Sequence, residues 1–197
     1  MKFIKFNVRP TLTWHFSIDQ KAKSRAVIVL IHNFAGTEDN FTRHITLLNN
    51  LGFDVVSFDL SWHKNGERRF ILKKLRQAWA DEIVLALKEI LQKRTVLPFT
   101  FSGIGACTLD AVSELLPHFH SQIVGLIFDS GPFDDYEQCV RNMLKFYYGL
   151  RSKLFRGALT FVMTKSWDPH NSETTQKRIR KIIEMNKNLP ILSIQGV

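Results

Sequence analysis

A serine lies where a short apolar strand passes into a helix, within the stretch Leu97–Ser113. Phe99–Phe101 is typical of a strand and follows a proline. Gly103 and Gly105 allow backbone angles and close approaches that larger residues resist. Such a turn would lift the Ser102 hydroxyl clear of a sheet and aim the N–H groups of the helix start at developing negative charge. The pattern predicts a nucleophilic serine suited to acyl transfer.

The same pattern has a second interpretation that carries no catalysis. A strand, a glycine-rich turn and a helix also form an ordinary βα connection or an anion-binding turn. The residues of this stretch leave both interpretations open, and the choice depends on the elements that surround it.

Strands and helices alternate along the chain from residue 26 onward. Ala26–His32 is a continuous branched-aliphatic run, as expected for a strand buried on both faces. Gly52 ends the helix predicted before it. The pattern predicts a single α/β domain, residues 1–197, with a mostly parallel sheet and helices on both faces. Its predicted strands are Lys2–Val8 and Thr11–Ile18 as an N-terminal pair, then Ala26–His32, Phe53–Leu60, Phe99–Phe101, Ile123–Phe128 and Pro190–Gln195; its predicted helices are Thr37–Leu51, one from about Leu72 to Ile90, one after Gly105, and Asn171–Asn188.

Ligands of parallel sheets bind beyond the carboxyl ends of the strands. This rule separates the candidate residues into two groups. Those expected at or just beyond carboxyl ends are His32, Asp59, His63, Ser102 and Asp129. Those expected elsewhere are His15 in the N-terminal pair, His44 inside a helix, and His118 and His120 at the opposite edge.

Composition limits the function classes. The 197 residues carry a net charge of +9 and two cysteines, Cys107 and Cys139, which make neither a disulfide framework nor a zinc site. We expect no metal and no cofactor. No apolar run suits a bilayer span or a secretory signal, so a cytoplasmic location is expected. The basic residues are spread over several segments, which favours solvated helix faces and no specific nucleic acid, with an anionic surface as the open alternative.

Nearly all of the chain resembles the α/β-hydrolase superfamily. His32-Asn33-Phe34-Ala35-Gly36 is similar to the family's oxyanion loop, with Asn33 in place of its first glycine, and Phe101–Ala106 is similar to its nucleophile elbow. The resemblance implies that the backbone N–H groups of Phe34 and Gly103 hold the oxyanion. It also implies a short helical lid over about residues 133–171.

The sequence departs from the family pattern at the elbow. If Gly105 matches the second glycine of Gly-x-Ser-x-Gly, the nucleophile position falls on Gly103 and catalysis is lost. If Ser102 is the nucleophile, bulky Ile104 occupies the place of that glycine. The second register is favoured here, and the first remains open.

A second departure concerns the acid and the base. Family members carry the acid after the strand that Pro190–Gln195 resembles and the histidine after one more strand, and the sequence stops before either. Asp129 is the substitute acid expected here, and His63 the substitute base, with His170 as an alternative. Turn formation would explain Asp129 without catalysis, a place in a polar loop would explain His63, and capping of the next helix would explain His170.

The resemblance implies a serine hydrolase acting on an ester or thioester, with a small acyl-ester or lipid-like substrate. The aromatic residues of the lid would then cover an apolar acyl pocket, or form only the lid's own core; they are Phe133, Tyr136, Phe146, Tyr147, Tyr148, Phe155, Phe161 and Trp167. The alternative is an inactive scaffold that binds a partner, a lipid or an anionic surface through its basic faces. A sheet that lacks the family's last strand and helix would also expose an edge at Pro190–Val197, through which copies could associate.

Overall fold

The computed structural model describes residues 10–18, 26–33, 36–60, 72–130, 136–167 and 171–194. Within them, six strands form one sheet: β1 (Thr13–His15), β2 (Val27–Ile31), β3 (Val55–Phe58), β4 (Val96–Phe101), β5 (Leu126–Asp129) and β6 (Ile191–Ile194). Their order across the sheet is β1-β3-β2-β4-β5-β6. β1 runs antiparallel to β3, and every other neighbouring pair is parallel. The α/β architecture with a mostly parallel sheet is confirmed.

Helices connect the parallel strands. They are α1 (Thr42–Asn50), which follows a 3-10 turn at Glu38–Phe41, then α2 (Leu72–Leu91), α3 (Gly105–Phe119), α4 (Tyr136–Asn142), α5 (Lys153–Trp167) and α6 (Asn171–Met185). A π-helical segment at Met143–Tyr147 continues α4. The region predicted as a short helical lid, about residues 133–171, contains α4 and α5, and α5 alone has 15 residues.

Side chains of the central strands belong to two apolar clusters, one on each face of the sheet. All five residues of β2 are buried, which explains its unbroken aliphatic sequence. Val29 and Ile31 join the larger cluster with residues of α2, α3 and α6, whereas Ile28 and Leu30 join a smaller cluster beside α1. Helices on both faces therefore hold β4, the strand that leads to Ser102, in the middle of the sheet.

The face that bears α1 is less covered toward β6. The residues of β5 that share this face, Ile127 and Asp129, are only partly buried, and Leu192 and Ile194 of β6 are exposed. β6 is the last strand on its side among the described strands. Association of copies through this edge stays a prediction. The run Lys2–Val8, predicted to pair with Thr11–Ile18, lies outside the described residues, and β1 pairs with β3.

Asp54 and Arg94 form a buried ion pair at the amino end of β3. The Asp54 carboxylate accepts a hydrogen bond from the Ser17 backbone N–H at 2.9 Å, and its other oxygen lies 3.0 Å from Nη1 of Arg94. The Asp54 side chain is almost fully buried, and Arg94 is mostly covered. Because a buried carboxylate without a cation is costly, Arg94 compensates the charge that ties β1, β3 and the turn before β4 together.

Replacing this arginine tests that role. We expect Arg94→Met to lower the free energy of unfolding by about 3 kcal/mol, because it leaves the Asp54 charge buried and uncompensated. The matched control is Lys93→Met, at the exposed neighbouring position, which should change stability by less than about 0.5 kcal/mol. Urea denaturation of both variants measures the difference, and equal midpoints would contradict the role given to Arg94.

Candidate active site

Ser102 has a left-handed backbone at the junction between β4 and α3. Its φ is 60°, one of two positive values among the described non-glycine residues. A side chain at such an angle crowds its own backbone and costs about 1 kcal/mol or more. Gly103 is not among the glycines with positive φ, which are Gly52 and Gly149 in the described residues. The strained position of the turn is therefore Ser102, and the Ser102 register of the elbow fits this geometry.

Buried side chains hold the elbow on both sides. Ile104 is fully buried, so the bulky residue that the family pattern does not favour points into the core beneath the turn. Before the turn, Thr100 accepts a hydrogen bond of 3.2 Å from the Thr108 hydroxyl of α3, and both side chains are buried. These contacts fix the strand and the helix relative to each other, which sustains the strained angle between them.

The first turn of the following helix contains N–H groups that have no acceptor within the helix. Ser102–Ile104 is a 3-10 turn that runs directly into α3. The first N–H groups of a helix lack acceptors within it, and Gly103 belongs to this group. No hydrogen bond ties the Ser102 hydroxyl to another described residue. The hydroxyl and the Gly103 N–H thus occupy the same short turn at the carboxyl edge of the sheet.

Asp129 lies at the neighbouring strand end. It pairs with Phe101 in the register of β4 and β5, so the two side chains share one face of the sheet. One oxygen of its carboxylate accepts a hydrogen bond of 2.9 Å from the Ser130 hydroxyl. Ser130 is the second residue with positive φ, 58°, and its N–H donates to the Ile194 carbonyl at 2.7 Å. The turn after β5 is thus a second serine turn, one strand away from the first.

His32 has a positioning role after β2. The Leu60 N–H donates to Nε2 at 3.0 Å, so the proton is on Nδ1, which donates to the Asn33 carbonyl at 2.8 Å. The ring is buried, and both nitrogens are used. It therefore links the ends of β2 and β3 and is not available as a base for Ser102.

Gly36 closes the loop that begins at His32. Its N–H donates to the Asn33 carbonyl at 3.0 Å, and a Cβ at this position would collide with Oδ1 of Asn33. The loop is fixed again two residues later, because the Asp59 carboxylate accepts a hydrogen bond of 2.8 Å from the Glu38 N–H. The Asn33 amide is the end of a flexible side chain, so a Cβ at residue 36 would require that side chain to move. Phe34, the predicted second oxyanion donor, lies outside the described residues.

No histidine among residues 10–18, 26–33, 36–60 and 72–130 is hydrogen-bonded to Ser102. His44 lies on α1 and its ring contacts Phe99 and Phe101. His118 and His120 are at the carboxyl end of α3, away from the elbow. His63 and His170, the two expected substitutes for the base, lie outside the described residues.

A serine, a histidine and a carboxylate meet at a different place, on β3. Ser57 donates to Oε2 of Glu38 at 3.3 Å and accepts from Nε2 of His15 at 3.0 Å. The Ser57 side chain is buried within the strand, so it cannot reach a substrate. No sequence motif points to this group, because its members are distant along the chain and meet only through sheet pairing. It joins β1, β3 and the turn before α1.

The predicted lid does not place its aromatic residues as expected. Among the aromatic side chains described in this region, Phe146, Tyr148, Phe155 and Phe161 are all exposed. The expectation that these four form the core of a lid is wrong, and an acyl pocket beside them stays a prediction. The helices that carry them still pack on the body of the protein, since α5 contacts α2 and α4.

Two kinds of feature are missing from the described part of the chain. It contains no helix that is both long and apolar enough to cross a membrane. It also contains no group of three or more His, Cys, Asp or Glu side chains that could hold a metal ion.

The strain at Ser102 predicts an unusual response to glycine. We expect Ser102→Gly to be about 1 kcal/mol more stable than Ser102→Ala, because glycine adopts a φ of 60° without the Cβ penalty. Ser113 in the middle of α3 is the control, where glycine should be less stable than alanine by about 1 kcal/mol. Thermal and urea unfolding of the four variants measures both differences. The same order at both positions would mean that Ser102 is not held in the left-handed region.

Comparison with solved structures identifies the fold. The mature form of a lipase from Bacillus licheniformis matches with a TM-score of 0.60 at 12% identity, covering 93% of this chain and 70% of the lipase. A bromoperoxidase from Bacillus anthracis matches with a TM-score of 0.56 at 11% identity, covering 94% of this chain and 86% of its own. A monoacylglycerol lipase from Paleococcus ferrophilus matches with a TM-score of 0.54 at 14% identity, covering 96% and 90%. No protein-family model and no curated protein sequence matches the chain. Its fold is that of the α/β-hydrolases.

Proposed function

We propose that this protein is a serine hydrolase that cleaves an ester or thioester, with Ser102 as its nucleophile. The observation that carries the proposal is the φ of 60° at Ser102, between the central strand β4 and helix α3. Strain at a non-glycine residue persists only where the surroundings impose it, and it is concentrated at functional sites. The fold adds support, because lipases are among the structures that share it.

In the proposed reaction, Oγ of Ser102 attacks the carbonyl carbon of the substrate while a histidine takes the hydroxyl proton. The carbonyl oxygen becomes an oxyanion and accepts hydrogen bonds from the N–H groups of Gly103 and Phe34. The tetrahedral intermediate then expels the alcohol or thiol, which receives the proton from the histidine. Water hydrolyses the acyl-serine by the same sequence of proton transfers.

Asp129 and His63 complete the proposal as acid and base. Asp129 is supported by its place opposite Phe101, one strand from the elbow and on the same edge of the sheet. Its carboxylate already accepts a hydrogen bond from Ser130 and has oxygen lone pairs left for an imidazole N–H. His63 is supported by its sequence position, since it follows β3 by five residues and the carboxyl ends of parallel strands share one edge.

The alternative function is a hydrolase scaffold without catalysis that binds a partner, a lipid or an anionic surface. The observation in its favour is that both nitrogens of His32 are engaged and no other described histidine is bonded to Ser102. The two functions differ in one measurable property. A hydrolase transfers an acyl group to Ser102, and a scaffold does not.

The nucleophile is tested with a fluorophosphonate probe and short-chain p-nitrophenyl and thioesters. We expect wild type to be labelled and to hydrolyse one of these substrates. Ser102→Ala should lose labelling and at least about a thousandfold of the activity, because the attacking oxygen is gone. The matched control is Ser113→Ala, in the middle of α3 and away from the proposed catalytic residues, which should keep both. No labelling of wild type, or equal labelling of Ser102→Ala, would exclude Ser102 as the nucleophile.

The base is tested separately by two histidine variants. We expect His63→Ala to slow fluorophosphonate labelling of Ser102 and ester hydrolysis by about a hundredfold or more, because the hydroxyl proton has no acceptor. His170→Ala should stay close to wild type. The reverse result would assign the base to His170 and leave the nucleophile in place. Full activity in both variants would remove both histidines from the mechanism.

A further inference from the structure

Helix α5 carries two threonine side chains inward and four large apolar side chains outward. Thr160 and Thr164, one turn apart, are 1% and 7% exposed, and their hydroxyls have no hydrogen-bond partner among the described residues. On the other side of the helix, Leu154, Phe155, Phe161 and Val162 are 89%, 56%, 64% and 57% exposed. A helix on the surface of a water-soluble domain normally has the opposite arrangement. The exposed apolar side chains of α5 are therefore suited to contact with an apolar partner rather than with water.

The apolar exposure continues into the segment before α5. Phe146 and Tyr148, at the end of the π-helical segment, are 72% and 61% exposed. Together with the four outward residues of α5 they form what we call the aromatic surface, defined as Phe146, Tyr148, Leu154, Phe155, Phe161 and Val162. Single exposed apolar residues are common on proteins, but a contiguous stretch of chain that exposes six of them indicates an interaction site.

The charged residues of the segment that carries the aromatic surface are all basic. Residues 143–167 contain five basic residues and no aspartate or glutamate. Four of the five are exposed, namely Lys145, Arg151, Lys153 and Lys165. The fifth, Arg156, is turned toward its own chain and donates to the Leu150 carbonyl at 3.1 Å. Nζ of Lys145 lies 4.3 Å from the centre of the Phe146 ring, so cation and aromatic ring are interleaved at close range.

The combination of exposed apolar and exposed basic side chains favours one class of partner over the alternatives. A second copy of the chain would place the same cations opposite one another, which costs energy. A nucleic acid would satisfy the cations, but its phosphates offer no apolar layer to Leu154 and Val162. The surface of a bilayer with anionic lipids satisfies both, because aromatic and aliphatic side chains enter the acyl boundary while Lys and Arg remain at the phosphates.

We propose that α5 and the segment before it dock the protein on an anionic lipid surface. The helix lies in the plane of the interface, with the aromatic surface entering the lipid and Lys145, Arg151, Lys153 and Lys165 at the headgroups. Its 15 residues give it a length of about 22 Å. The inward side of α5 stays packed on α2 and α4, so that docking brings the whole domain to the membrane. The docking does not depend on the proposed hydrolysis.

Vesicle sedimentation of the full chain tests the proposal. We expect binding to vesicles of phosphatidylcholine with phosphatidylglycerol, little binding to phosphatidylcholine alone, and a decrease as salt rises. Phe155→Ser combined with Phe161→Ser should weaken binding at least about tenfold, since two aromatic rings that would enter the lipid are lost. The matched control is Leu47→Ser with Leu51→Ser, which removes two similarly exposed leucines at α1, and it should bind as wild type.

Charge variants and two alternative partners complete the test. Lys153→Gln with Lys165→Gln should weaken binding about tenfold, whereas Lys93→Gln with Lys187→Gln, at exposed positions elsewhere, should not. Circular dichroism confirms that each variant is folded. Absence of vesicle binding, or equal loss in the control variants, would overturn the proposal. The proposal would also be overturned if the protein bound RNA or associated with itself, and if only the Phe155/Phe161 or Lys153/Lys165 variants lost that binding or association. Ser102→Ala should bind vesicles as wild type does, so a failure of the hydrolase proposal is distinguishable from a failure of this one.

Discussion

The left-handed backbone of Ser102 is the constraint on which the candidate site depends. The angle is unfavourable by itself, so it exists only because β4 and α3 are each fixed by their own contacts. β4 lies between two parallel neighbours, and Ile104 is enclosed in the core directly after the turn. The strain at Ser102 is thus a consequence of how this junction is held.

The neighbouring loops are held by hydrogen bonds that do not take part in any proposed chemistry. His32 joins the ends of β2 and β3 through both of its ring nitrogens, and Asp59 caps the 3-10 turn before α1. These two contacts lie beside the loop that the sequence predicted to hold an oxyanion. They illustrate why a histidine at the carboxyl end of a strand need not be a catalytic histidine. A buried ring with two satisfied nitrogens is a structural link.

Local patterns were sufficient to predict most of the fold. The unbroken aliphatic run of β2 and the glycine after α1 predicted elements that the structure contains, and the alternation of strands and helices predicted the parallel sheet. The turn at Ser102 was also accessible from sequence, because a serine followed by two closely spaced glycines at the end of an apolar strand is typical of a tight strand-to-helix junction. The group of His15, Ser57 and Glu38 was not, since only strand pairing brings these residues together. The Asp54–Arg94 pair was hidden for the same reason.

The orientation of α5 was beyond sequence reasoning for a different physical reason. Apolar periodicity predicts that one side of a helix avoids water, but it does not say whether the protein or an external surface covers that side. The aromatic residues of this region were therefore assigned to a pocket or a lid core, and the exposed ones lie on the outside. The inward threonines and outward apolar side chains of α5 can be recognised only when the burial of each residue is known.

The most direct measurement for the central claim is a crystal structure of the protein after reaction with a fluorophosphonate. We expect the phosphorus to be bonded to Oγ of Ser102, with the φ of that residue still near 60° and the phosphonyl oxygen facing the Gly103 N–H. An adduct on another residue, or a Ser102 backbone in the ordinary helical or extended region, would contradict the interpretation of the elbow as a strained nucleophile.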